Sequence, residues 1–108
     1  MKYRSLALNG FEAIQVCLKN FDPIKSHRWK REKPEWFRAM LETGDIAVYY
    51  DQKYIGLKNT NATFRCYEGD YIVRNRKRLV FWMPKHLFEE SFVLDNGQSF
   101  DVTPKQQA

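Results

Sequence analysis

Apolar and polar positions change period several times along the chain, and each change marks an element. Phe11-Glu12-Ala13-Ile14-Gln15 alternates before Val16-Cys17-Leu18 becomes wholly apolar, the pattern of a strand running into a buried position. Residues 19–33 are charged, broken by Asp22-Pro23 and without a period, which predicts a loop, with a short helix near Ile24 as the alternative. Pro34 then opens a helix: Glu35 suits the positive end of its dipole, Trp36, Phe37, Met40 and Leu41 share one face, and Gly44 suits its C-terminal cap. Ile46–Tyr50, Tyr54–Leu57 and Ala62–Tyr67 are short β-branched and aromatic runs with polar turns between them, a meander. Tyr71–Val73 and Leu79–Trp82 flank a polar tip and read as a second hairpin. Pro84 opens a helical turn with Leu87 and Phe88 facing inward, and Asn96-Gly97 between Phe92–Leu94 and Phe100–Val102 is a strong hairpin signal. The expected fold class is therefore α+β: a small antiparallel sheet with one main helix (34–43), a short helical turn near 84–90 and a C-terminal β-hairpin.

Length changes this picture little, since 108 residues make one domain and not two. An apolar content of 44%, with only five Gly and four Pro, gives material for a packed core and excludes general disorder. No run approaches the roughly 20 apolar residues of a membrane-spanning helix, and Met1–Leu6 lacks the apolar stretch of a signal peptide, so the expectation is a cytoplasmic protein with no membrane partner. Cys17 and Cys66 read as buried thiols in a reducing compartment.

Charge is more informative by position than in total. Eighteen Lys and Arg against thirteen Asp and Glu leave +5. Residues 25–33 and 74–78 together hold +8, so the other ninety-four residues sum to −3. The body is mildly acidic and carries two cationic segments. In the first, Trp29 interleaves with Lys25, Arg28, Lys30 and Arg31, which sets a stacking plane beside phosphate-pairing groups. In the second, Arg74, Arg76, Lys77 and Arg78 occupy the tip of the predicted hairpin. These nine residues are the candidate binding site for an acidic partner or a phosphate; the plain alternative is a solvated loop whose charges discourage edge-to-edge aggregation.

The remaining chemistry is sparse. His27 and His86 lack metal-ligand spacing to each other or to the isolated cysteines, so no metal is expected. The five glycines are scattered through turns and form no phosphate-cradling loop, and no cofactor is expected. Glu89 and Glu90, adjacent on a helix, point apart and do not make an acid–base pair. The chain is read as a non-enzyme.

The order of motifs carries a resemblance. Met1-Lys2-Tyr3-Arg4, Phe11-Glu12-Ala13-Ile14-Gln15, Pro34-Glu35-Trp36-Phe37 with Gly44-Asp45-Ile46, Glu68-Gly69-Asp70-Tyr71-Ile72-Val73, and Leu87-Phe88-Glu89 before Phe92 follow in sequence. This order resembles a widespread family of small phage and prophage proteins, which open M-K-Y-R, continue through E-A-I-Q-W and P-E-W-F, and close on P-G-D-Y-I-I-x-G-x-x-G-E-x-Y-P-C-K-P-D-I-F-E. The similarity spans residues 1–94 and implies a compact α+β phage accessory protein. The departures fall at the second cationic segment: Asn75 and Arg78 stand where the pattern has glycines, Leu79 where it has an acid, Met83 where it has cysteine and His86 where it has aspartate. Residues 95–108 extend beyond the pattern, so 1–94 reads as the core domain and 95–108 as a hairpin extension with a polar tail.

The function expected from the resemblance and the charge is that of a phage-encoded, non-catalytic interaction protein in the host cytoplasm. It would bind and modulate or inhibit a host factor, such as a defence or nucleic-acid-processing system. The alternative is direct binding of nucleic acid or a nucleotide through segments 25–33 and 74–78.

Overall fold

In the computed structural model, which describes residues 10–20, 33–59, 62–94 and 100–105, the strands divide between two antiparallel sheets. The first holds β1 (Phe11–Gln15), β5 (Tyr71–Arg74), β6 (Val80–Met83), β7 (Phe92–Leu94) and β8 (Asp101–Pro104), in the spatial order β6-β5-β1-β8-β7. The second is the meander β2 (Ile46–Tyr49), β3 (Tyr54–Lys58) and β4 (Thr63–Tyr67). Helix α1 (Glu35–Thr43) leads into β2, and α2 (Lys85–Ser91) joins β6 to β7.

This corrects the expectation of one small antiparallel sheet: among the described residues the chain is sheet-rich, with eight strands in two sheets. The physical reason is burial on alternating faces. The meander has one apolar face, carrying Ile46, Ile55, Leu57 and Cys66, and covers it by packing onto Ile14 and Ile72 of the larger sheet, with Phe37 and Leu41 of α1 completing the cluster. The opposite face of the larger sheet carries Ala13, Val73 and Val102 and is covered by Phe88 of α2 and by Phe92. The larger sheet is thus buried on both sides, which accounts for the apolar runs of β5 and β6.

The single main helix stands, with Pro34 as its extended N-cap (φ −68°, ψ 157°) and Gly44 as its left-handed C-cap (φ 89°), its N–H donating to the Met40 carbonyl. Phe37 and Leu41 are buried, while Trp36 and Met40 pack at the margin. In α2 only Phe88 turns inward; Leu87 is exposed, because a helix of two turns against a sheet offers one narrow contact stripe. The C-terminal arms pair as β7 with β8, Leu94 opposite Val102, and β8 also pairs with β1, Phe11 opposite Val102. The Asn96-Gly97 turn lies outside the described residues.

Asp70 ties these layers together. Its Oδ2 accepts from the Tyr67 N–H (3.0 Å) and from Trp82 Nε1 (3.1 Å), and its Oδ1 accepts from the N–H of Lys85, the first residue of α2 (3.2 Å). Gly69 beside it has φ 92°, which gives the Gly-Asp-Tyr-Ile segment a structural task at the β4–β5 turn.

Candidate functional site

Tyr71–Arg74 and Val80–Met83 pair in register, Arg74 opposite Val80, so residues 75–79 form the β5–β6 tip. The Asn75 N–H donates to the Leu79 carbonyl (2.9 Å) and the Arg78 N–H to the Asn75 carbonyl (2.9 Å), which leaves three residues in the loop. Asn75 Oδ1 accepts from the N–H groups of Lys77 and Leu79, both at 2.9 Å. This geometry requires a left-handed residue at the end of the turn, and Arg78 takes it, with φ 68°. It is one of the positions where the resembled pattern has glycine.

The four cations of this segment separate into different environments. Arg74 stands opposite Glu12 in the β1–β5 register, and its Nη1 meets Glu12 Oε1 at 3.4 Å across the strands, both side chains about a quarter exposed. The same Glu12 oxygen accepts from Trp36 Nε1 at 2.9 Å. Arg74 is therefore neutralised by its own protein and belongs to the wall of an open cavity of about 460 Å³, with Glu12, Trp36, Phe100 and Lys33 around it. Arg76, Lys77 and Arg78 are exposed, with Arg76 backed closely by Gly10 (φ 63°), where a side chain would collide with it. Lys25, Arg28, Trp29, Lys30 and Arg31 lie outside the described residues.

A second feature escaped the sequence reading. The register of the meander aligns Tyr49, Tyr54 and Tyr67 across its three strands, on the face turned away from the core. Ring centroids stand 5.0 Å apart for Tyr49–Tyr54 and 5.8 Å for Tyr54–Tyr67, and the Arg65 guanidinium lies 5.1 Å from the Tyr54 ring centre. A hydrogen bond to Tyr67, then the nearby Tyr54 and Tyr67 oxygens, push the Arg65 pKa up, so the arginine stays charged. The signal was present as alternation: Tyr49 and Tyr67 close their strands and Tyr54 opens its own, each at a position of outward parity.

Among the described residues no group of three or more His, Cys, Asp or Glu side chains could hold a metal ion, and no helix is long and apolar enough to cross a membrane. Burial, with a smaller contribution from Asp70, pushes the Cys66 thiol up to about 12, which removes it as a nucleophile at neutral pH. A smaller cavity of about 370 Å³ lies beside α2, with Phe88, Phe92, Val102, Tyr71 and Glu89 in its wall. The Tyr71 phenol is pushed up by burial and by the neighbouring Glu89, to which its hydroxyl donates at 3.4 Å. No protein-family model, curated protein or solved structure matches the chain.

Proposed function

We propose that this chain is a small non-catalytic interaction protein of the phage accessory kind, which binds an acidic surface on a host factor through the β5–β6 tip and modulates that factor stoichiometrically. The observation that supports this reading is Arg78. An exposed arginine occupies a left-handed position that glycine would fill without strain, next to the exposed Arg76 and Lys77. Backbone strain held at an exposed charged loop fits selection for the side chain over local stability. The pairing of Arg74 with Glu12 takes Arg74 out of the proposed recognition element.

Direct nucleic-acid binding is the second reading, favoured by the lack of any acidic residue in 74–79. The test is affinity capture from a bacterial lysate with the native chain and with a Lys77→Ser, Arg78→Gly variant, each with and without nuclease. A host protein recovered by the native chain in both arms and lost with the variant supports the proposal. Recovery that vanishes with nuclease supports the second reading, and equal recovery by both chains refutes a role for the tip.

A further inference from the structure

We infer that the outer face of the β2-β3-β4 meander is a binding platform for single-stranded nucleic acid, with Tyr49 and Tyr67 as stacking surfaces and Arg65 and Lys58 as phosphate partners. The inference is independent of the cationic tip, which belongs to the other sheet. Two observations carry it.

The first is the aromatic row. Tyr49 and Tyr67 are 44% and 47% exposed, well beyond what cross-strand packing in a sheet requires of a ring. They flank Tyr54 on neighbouring strands, so the row presents outer rings on the order of 10 Å apart, two strand spacings. Gly56 pairs with Ala47 and Arg65, and the space its missing side chain leaves is taken by the Tyr49 ring, whose Cε2 lies 3.0 Å from where a Cβ would stand. Tyr49 therefore leans over Gly56, with its exposed side open to a base. Antiparallel sheets that bind single strands use aromatic side chains on adjacent strands in this way, because every base has a face to stack.

The second is charge. The strands Ile46–Tyr49, Tyr54–Lys58 and Thr63–Tyr67 contain no acidic residue, although the body outside the two cationic segments is acidic. Their only ionic groups are Lys58 and Arg65, both exposed and on the tyrosine face. The strands offer rings and cations without a carboxylate, Asp51 and Glu68 standing in the adjoining turns, and such a face suits a polyanion that carries its own aromatic planes. Duplex DNA hides those planes, so single strands are the favoured class. An acidic peptide offers the charge without the planes, and a second copy of the chain would set cation against cation.

The experiment is fluorescence anisotropy with a labelled oligothymidylate of about 16 nucleotides and a duplex of the same length, at about 50 mM and about 200 mM salt. The native chain is expected to bind the single strand in preference to the duplex, and more weakly at the higher salt. Tyr49→Ser and Tyr67→Ser should each weaken binding about tenfold, while Tyr49→Phe and Tyr67→Phe should keep it, with circular dichroism melts confirming that all four variants fold. Lack of single-strand binding by the native chain overturns the inference. So does affinity that survives both serine substitutions but falls with Lys77→Ser and Arg78→Gly, or a native dimer, seen in sedimentation without oligonucleotide, that the serine substitutions convert to monomer.

Discussion

Replacing Arg78 with glycine should make the protein more stable and a weaker binder. The left-handed conformation costs an L-residue about 1–2 kcal/mol, and Arg78 adopts it at φ 68° in a three-residue loop whose hydrogen bonds fix that geometry. Glycine removes this cost but gives back about 0.5–1 kcal/mol through the greater freedom of the unfolded chain. The net expectation is a gain of about 0.5–1 kcal/mol, equivalent to about 2–8 °C in Tm for a domain of this size. Arg78→Ala is the control, since it removes the same charge beside Arg76 and Lys77 and keeps the backbone strain. Urea denaturation followed by far-ultraviolet circular dichroism reads both. A glycine variant no more stable than the alanine variant would refute the argument, because any shared gain would then come from reduced charge repulsion.

Further substitutions probe the supports of the site. Asp70→Ala removes acceptors from Tyr67, Trp82 and Lys85 at once and should cost about 2–4 kcal/mol in urea denaturation, with Asp70→Asn in between. Glu12→Ala leaves the partly buried Trp36 N–H and Arg74 without their shared acceptor and should cost about 1–2 kcal/mol, whereas Glu12→Gln keeps the Trp36 bond and should cost less than about 1 kcal/mol. With Cys17 changed to Ser, the remaining Cys66 should react with a thiol reagent at pH 8 about a thousandfold more slowly in the folded than in the unfolded protein, since its thiol is pushed from 9.0 to about 12. Because the folded state holds that proton more tightly, its stabilising contribution is present below pH 9 and lost as pH rises from 9 to about 12. Tyr71, raised above 10.0 by burial and Glu89, acts in the same direction, so stability should fall less between pH 9 and about 12 in Cys66→Ala than in the native chain, with the Tyr71 contribution remaining.

Local chemistry made most elements legible. Pro34, Glu35 and Gly44 bound α1, β-branched and aromatic runs between polar turns located the meander, and the flanking apolar runs placed the second cationic segment at a hairpin tip, although Arg74 itself ends β5. Sheet partition was not legible, because it depends on which apolar faces meet: Ile14 and Ile72 are far apart in sequence from Ile46 and Leu57, which they help to bury. The fate of Arg74 was hidden for a related reason, since its partner Glu12 comes from a strand 62 residues away. The cationic tip could be found from residue types alone, but the strain at Arg78 could not, as φ is set by the two-sided hydrogen bonding of Asn75. The tyrosine row was missed because each tyrosine is ordinary within its own strand, and only register aligns them.

The central claim, that the β5–β6 tip is the recognition element, is tested most directly by amide hydrogen exchange on the chain alone and bound to the host protein captured from nuclease-treated lysate. The account predicts that binding slows exchange at residues 75–79, with Arg78→Gly both weakening the complex and reducing that protection. Slowed exchange confined to other segments, with 75–79 exchanging as fast in the complex as in the free chain, would contradict it.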